Sequence, residues 1–137
     1  MGVAITQLGR SGLKVSRQVL GTMTFGTQTS EEEAGRIMDK AMDAGIVCFD
    51  TADVYPQGRS APGLTEEIIG RWLKGRRDSV ILATKAFGKV GPNAWDEGNS
   101  RKHLLDAIDA SLKRLQTDHV DLYQLHHHDP STPIEET

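Results

Sequence analysis

The stretch VCFDTADVYPQG, residues 47–58, joins a short apolar run to a carboxylate and then to a phenol. Residues 46–49 are four apolar residues in succession, which is typical of a strand buried on both faces of a parallel sheet. The run stops at Asp50, and Tyr55 follows at the start of a loop that contains proline and glycine. Solubility alone does not require these two residues, because any polar residue could follow the strand. Asp50 and Tyr55 are candidate functional residues if other strands bring partner side chains to them.

Amphipathic helical patterns alternate with short apolar runs through the rest of the chain. Ser30 is suited to cap a helix, with Glu33 at the capping-box spacing, and Gly45 is placed to end that helix. The other predicted elements are strands at 19–20, 80–83 and 120–125, a helix over 64–74 and a helix that begins after Ser100. This alternation predicts an α/β fold with parallel strands joined by right-handed crossover helices.

Both ends of the chain carry a local signal of their own. Residues 5–15 predict an N-terminal hairpin. Thr132 is suited to cap a helix, with Pro133 at the first helical position and a glutamate three residues past the cap, so a fourth helix is predicted to begin there. The sequence stops soon afterwards, and we therefore expect residues 1–137 to be a single partial domain of a longer protein.

Composition and charge argue against several classes of protein. Apolar residues make up 37% of the chain and charged residues 26%, and the formal net charge of −3 gives no basic surface for nucleic acid or an anionic membrane. The longest apolar runs are four residues, too short to span a membrane. The one cysteine, Cys48, has apolar neighbours and is predicted to lie in the core. Because the N-terminus lacks a charged region followed by a long apolar segment, we predict a cytoplasmic protein.

Four candidate side chains come from three consecutive strands and one loop. Parallel strands bring their carboxyl ends to the same side of a sheet or barrel. Asp50, Lys85 and His126 each stand where an apolar strand gives way to a loop, and Tyr55 begins the loop after one of those strands. The spacing therefore predicts a carboxylate, an ammonium, an imidazole and a phenol around one mouth.

These four groups suit the reduction of a carbonyl. A free tyrosine titrates near pH ~10, and a neighbouring lysine cation favours its deprotonation. A carboxylate would hold that lysine in place, and an imidazole can donate a hydrogen bond to a substrate oxygen. None of the four is an obvious nucleophile, and one carboxylate cannot supply a glycosidase pair. The hydride must come from a cofactor, because no side chain can supply it.

Several stretches, in the same order along the chain, resemble the aldo-keto reductase family. They are LGTMTFGTQ (20–28), FDTADVYPQG (49–58), LATKAFG (82–88), NSRKHLLDAIDASLKRLQTDHVDLYQLHHHDP (99–130) and TPIEET (132–137). The resemblance covers essentially the whole chain and implies the first half of a (β/α)8 TIM barrel, with about four parallel strands and crossover helices. A full barrel takes about 250 residues, so we expect roughly half of it to be missing.

The resemblance also implies roles for individual residues. Tyr55 would be the general acid, Asp50 and Lys85 would tune it, and His126 would orient the carbonyl of an aldehyde or ketone. The cofactor would be NADPH, with NADH as the alternative, and the residues that contact it would be Thr22, Met23, Gln28 and Asp50. Pro56 stands where the family commonly has glycine, which would alter the substrate rim.

Each candidate also has a simpler interpretation. Asp50 alone would as readily bond loop backbone N–H groups, Lys85 alone would be a solvated strand end, and Tyr55 alone would be a packed aromatic with a wet hydroxyl. Residues 126–128 are three consecutive histidines. Consecutive side chains on a strand point to opposite faces, so these three would not converge, and we predict no metal site.

The alternative to an enzyme is a half-barrel that is catalytically incomplete and acts as an interaction or assembly module. A four-stranded piece exposes two strand edges and the apolar faces that a second half would cover. Such a module would self-associate or pair with a complementing C-terminal half.

Overall fold

The chain begins with a two-stranded hairpin. In the computed structural model, which describes residues 2–58 and 62–137, strand β1 (Ile5–Gln7) pairs antiparallel with β2 (Lys14–Ser16). The turn between them is closed by the Leu8 N–H, which donates to the Leu13 carbonyl at 2.8 Å. The predicted N-terminal hairpin is therefore confirmed.

Four parallel strands form the sheet that follows, and they lie side by side in the order of the chain. These strands are β3 (Val19–Gly21), β4 (Cys48–Asp50), β5 (Ile81–Ala86) and β6 (Leu122–Leu125). The helices between them are α1 (Glu31–Asp43), α2 (Leu64–Trp72) and α3 (Arg101–Leu115). This arrangement confirms the predicted α/β fold, the first half of a (β/α)8 barrel with crossover helices.

The predicted caps begin and end the helices. Ser30 Oγ accepts a hydrogen bond from the Glu33 N–H at 3.2 Å at the start of α1, and Ser100 Oγ accepts from the His103 N–H at 3.2 Å at the start of α3. Gly45 follows α1 with φ of 85°, a left-handed conformation that glycine adopts without a steric penalty. Local sequence chemistry thus sets these boundaries.

Alternate strand residues face two different environments. On the helix side of the sheet, Phe49 and Leu82 are fully buried against Met38, Ile69 and Leu115. The intervening strand residues line an apolar cleft of about 370 Å³ between the sheet and the hairpin. Its apolar lining includes Leu8, Leu13, Val15, Cys48, Ile81 and Leu122. Cys48 is buried, as predicted.

Three strand boundaries differ from the sequence prediction. Strand β4 begins only at Cys48, and at this boundary the Ser16 hydroxyl accepts from the N–H groups of Val47 and Cys48, at 3.1 and 3.2 Å. Lys85 lies inside β5 rather than after it, because pairing with β6 continues to Ala86. Strand β6 begins only at Leu122.

At the start predicted for a fourth helix, after Thr132, the chain forms a single turn. Residues 134–136 form a turn, in which the Glu136 N–H donates to the Pro133 carbonyl at 3.1 Å. A single turn fixes several backbone angles in return for one hydrogen bond, so it does not make a helix without further turns. Among the described residues, no helix is long and apolar enough to cross a membrane.

Candidate active site

An ion pair joins the ends of two neighbouring strands. Lys85 Nζ donates to Asp50 Oδ2 at 2.6 Å and to the Thr51 carbonyl at 2.8 Å. The register explains the contact, because Asp50 pairs with Ala83 and Lys85 lies two residues further on the same face of β5. Only 13% of the Lys85 side chain is exposed. The cation is therefore held in a defined position rather than solvated at a strand end.

Tyr55 lies against this lysine. Lys85 Nζ is 5.1 Å from the centre of the Tyr55 ring, and Tyr55 is 7% exposed. The backbone around the tyrosine is fixed at both ends of its loop, since its N–H donates to the Ala52 carbonyl at 3.2 Å and its carbonyl accepts from the Gly63 N–H at 3.1 Å. The peptide bond between Tyr55 and Pro56 is cis.

His126 completes the group from the next strand. It directly follows β6, and its N–H donates to the Ala86 carbonyl at 2.9 Å. Its ring meets the Tyr55 ring edge-on, with 5.8 Å between the ring centres. Burial lowers the pKa of His126, the charges of Lys85 and His127 lower it further, and Asp50 acts in the opposite direction. A neutral imidazole, with one donor and one acceptor nitrogen, is therefore favoured at neutral pH.

The four residues named as cofactor contacts do not all lie together. The N–H and hydroxyl of Thr22 both donate to the backbone carbonyl of Asp50, at 3.2 and 2.9 Å, so these two residues form one unit. Met23 is 46% exposed, and Gln28 is exposed in the same loop before α1. The structure thus joins Thr22 to Asp50 and leaves Met23 and Gln28 at the surface.

The histidine run behaves differently from the prediction made for a strand. Strand β6 ends at Leu125, so side chains no longer alternate, and the rings of His126 and His127 stack with centres 5.1 Å apart and planes 15° from parallel. Within residues 2–58 and 62–137, no group of three or more His, Cys, Asp or Glu is arranged to hold a metal ion.

Pro56 is fully buried, so its ring does not shape an exposed rim.

The sequence interpretation missed Gln124. Its Nε2 donates to Asp50 Oδ1 at 2.8 Å, so the carboxylate accepts from an amide on one oxygen and an ammonium on the other. The sequence did contain a signal for this contact. Side chains alternate between the two faces of a strand, and Gln124 of β6 is the register partner of Lys85 in β5, so the two side chains lie on the same face of the sheet. Asp50 is therefore held by side chains from two further strands.

This geometry is suited to proton transfer to an oxygen. The Lys85 ammonium lies over the Tyr55 ring, and a neutral imidazole at the edge of that ring can donate to a polar atom of a bound molecule. A carboxylate with two fixed donors keeps the cation from moving. Asp50 and Gln124 also line the apolar cleft between the sheet and the hairpin.

Comparison with known proteins identifies the family. A model of the Aldo/keto reductase family matches residues 18–137, and the chain belongs to this family. It is 51% identical to a Bacillus subtilis (strain 168) protein named "Uncharacterized oxidoreductase YrpG", over 96% of this chain and 42% of that relative. It is 47% and 44% identical to proteins of Arabidopsis thaliana and Oryza sativa subsp. japonica, each named "Probable voltage-gated potassium channel subunit beta", over 95% of this chain and 39% of each relative. The chain thus spans about two-fifths of the length of these relatives.

Proposed function

We propose that this chain carries the proton-donating part of a cytoplasmic carbonyl reductase that uses NADPH to convert an aldehyde or ketone to an alcohol. The observation that carries the proposal is the 2.6 Å contact between Lys85 Nζ and Asp50 Oδ2, with the same Nζ 5.1 Å from the centre of the Tyr55 ring. Family membership supports the same reaction class.

Each residue has a distinct part in the proposed reaction. Reduction adds a hydride to the carbonyl carbon and a proton to the carbonyl oxygen. Tyr55 gives its hydroxyl proton to that oxygen, and the phenolate left behind is stabilised by the Lys85 cation and regains a proton from water. His126, in its neutral form, donates a hydrogen bond that orients the carbonyl. Asp50 keeps Lys85 in place and takes no proton itself.

The hydride would come from the reduced nicotinamide when it is bound. The site suits a nicotinamide carboxamide, because the Asp50 carboxylate keeps spare lone pairs for its N–H groups. The buried Thr22 hydroxyl holds the Asp50 backbone in place. Met23 and Gln28 are exposed in the adjoining loop and would contact the cofactor there. NADPH is the first choice, and NADH is the alternative.

A paired substitution tests the role of Tyr55. The chain has two tyrosines, and Tyr123 donates its hydroxyl to the Leu104 carbonyl at 2.9 Å, away from Lys85. We expect Tyr55→Phe to lower NADPH-dependent reduction of a generic aldehyde by about 10²- to 10⁴-fold, the usual contribution of a general acid. Tyr123→Phe should leave it within about tenfold. Equal activity in the two variants would rule out Tyr55 as the proton donor.

The apolar cleft favours a second candidate function. Its lining of hairpin and strand side chains suits a protein partner, and β3 and β6 are the two edges of the sheet. The chain would then serve as an assembly module that pairs with a second copy or with a complementing C-terminal half. The plant relatives named as channel subunits make an assembly role reasonable for a chain of this family.

Solution mass and nucleotide binding separate the two candidates. Light scattering across a concentration series measures self-association, and tryptophan fluorescence on addition of NADPH measures nucleotide binding. A folded chain that binds nucleotide and turns over aldehyde supports the reductase. A folded chain that self-associates and binds no nucleotide supports the assembly module.

A further inference from the structure

A second group of charged side chains lies behind the Tyr55 loop, on the helix side of the sheet. Glu66 of α2 has no exposed surface, and Asp53 is 1% exposed. Arg114 of α3 donates from Nε to Glu66 Oε2 at 2.7 Å, and the Thr84 hydroxyl donates to Glu66 Oε1 at 2.6 Å. We call Asp53, Glu66 and Arg114 the buried carboxyl cluster.

Two glycines make room for this cluster. A Cβ on Gly63 would lie 2.5 Å from Cδ of Arg114, and a Cβ on Gly70 would collide with the Arg114 carbonyl oxygen. Helices α2 and α3 therefore approach closely at the point where Glu66 meets Arg114. This approach leaves the Glu66 side chain with no exposed surface and the Arg114 side chain 23% exposed.

The cluster connects the backbone of Tyr55 to the strand that carries Lys85. The Tyr55 carbonyl accepts from the N–H groups of Gly63 and Thr65, at 3.1 and 3.3 Å, at the start of α2. Glu66 is the next residue of that helix, and its partner Thr84 directly precedes Lys85 in β5. The Asp53 N–H also donates to the Lys85 carbonyl at 3.1 Å.

The charges of the cluster do not balance if both carboxyls are ionised. Two carboxylates would face one guanidinium with little water to screen them, and like charges at short range disfavour a second ionisation. Glu66 takes the strong hydrogen bonds from Arg114 and Thr84. Within the described ranges, neither side-chain oxygen of Asp53 has a hydrogen-bond partner. A buried group without partners costs more free energy when it is charged, so the protonated acid is favoured over the carboxylate.

We propose that Asp53 retains its proton at weakly acidic pH and loses it around neutral pH, and that the buried carboxyl cluster is a set of positioning residues that fixes Tyr55 against Lys85. This inference rests on the proposed role of Tyr55 as proton donor. Loss of the Asp53 proton would place a second negative charge beside Glu66 and move the loop that carries Tyr55. The rate of carbonyl reduction would then depend on the protonation of Asp53, a residue that does not contact the substrate.

The electrostatic surroundings of Asp53 agree with this proposal. Burial and the charge of Glu66 raise the pKa of Asp53 to about 7, while Arg114 and the N–H groups of Asp53 and Val54 act in the opposite direction. The Tyr123 hydroxyl donates to the Leu104 carbonyl, and burial together with the charges of Asp53 and Glu66 raises the pKa of Tyr123, so it stays neutral. Within the described part of the chain, β5 contributes the Thr84 hydroxyl, which donates to Glu66, and the Lys85 carbonyl, which accepts from the Asp53 N–H.

Carbon-13 NMR of side-chain carboxyls tests the retained proton without any need for turnover. We expect one carboxyl resonance of the chain to titrate with a midpoint of about 7 and to be absent from Asp53→Asn. Asp109→Asn, at an exposed position of α3, should leave it in place. The ring resonances of Tyr55, assigned by their loss in Tyr55→Phe, should shift with the same midpoint and lose that dependence in Asp53→Asn.

Glu66→Gln provides a second variant should Asp53→Asn fail to fold. Removing the neighbouring negative charge should lower the midpoint by about one pH unit. Titration of Asp53 near its ordinary value of about 4 would overturn the proposal, and so would Tyr55 resonances that respond to pH identically in Asp53→Asn and the parent chain. A protein with the expected NMR behaviour but no carbonyl reduction would count against the reductase and leave the cluster's effect on Tyr55 established.

Discussion

Gln124 Nε2 lies 2.8 Å from Asp50 Oδ1, and this contact joins residues that are 74 positions apart in the chain. Asp50 therefore accepts one hydrogen bond from the strand next to it and one from the strand beyond. The carboxylate is oriented by the assembled sheet rather than by its own loop, which is why its contact with Lys85 has a defined geometry.

Replacing Gln124 should weaken the proposed reaction without abolishing it. Gln124→Leu removes one of the two donors to Asp50 and keeps the Lys85 contact, so we expect turnover to fall about tenfold, the scale of one hydrogen bond to a charged group. Steady-state kinetics with NADPH and an aldehyde measures the change. Gln18→Leu, at an exposed position, is the matched control. Unchanged turnover in Gln124→Leu would show that the orientation of Asp50 does not matter.

Lys85 should affect chemistry more than binding. Lys85→Met keeps the length of the side chain but removes the cation beside the Tyr55 ring, so we expect a loss of about 10²-fold or more in kcat. Nucleotide affinity should change little, because Thr22 and Asp50 remain. Lys74→Met removes an exposed cation and serves as control. A variant that loses nucleotide binding but keeps kcat would contradict this division of roles.

The close contact between α2 and α3 should make Gly70 intolerant of a side chain. A Cβ at Gly70 meets the backbone of Arg114 and Leu115, so Gly70→Ala should lower the free energy of unfolding by about 1–3 kcal/mol through overpacking. Gly35 lies within α1 with no atom near its Cβ position, so Gly35→Ala should raise it by roughly 0.5–1 kcal/mol through helix propensity. Urea unfolding measures both. The two substitutions should change the free energy of unfolding in opposite directions. Equal changes would contradict the close contact between α2 and α3 at Gly70.

The stability of the fold should depend on pH through Asp53. Its pKa is raised from 3.8 to about 7, so between these values the folded chain holds a proton that the unfolded chain has lost. Stability from this group is therefore present below about pH 4 and lost as pH rises towards 7. About three pH units correspond to at most about 4 kcal/mol.

Urea unfolding between pH 5 and 8 checks this sign. The parent chain should lose stability over that range relative to Asp53→Asn, whose amide cannot ionise. Asp109→Asn should follow the parent. Parallel curves for Asp53→Asn and the parent would mean that Asp53 ionises normally in the folded chain.

The amino-acid sequence alone determined the local elements and the family. Cap residues at Ser30 and Ser100, the glycine at 45 and the apolar periods act over a few residues, so the helices and the parallel order of the strands were predictable. The ends of the strands were less predictable, because they depend on contacts between distant residues, such as the Ser16 hydroxyl beside β4 and the pairing of β5 with β6.

Only the tertiary structure decided which side chains meet. Gln124 reaches Asp50 through the register of three strands, and His126 stacks on His127 because the strand ends one residue earlier. The burial of Asp53 beside Glu66 and Arg114 depends on two helices packing at glycines 63 and 70. These contacts join residues far apart in the chain, and the energies that select them, desolvation and charge at short range, do not exist until the chain has folded.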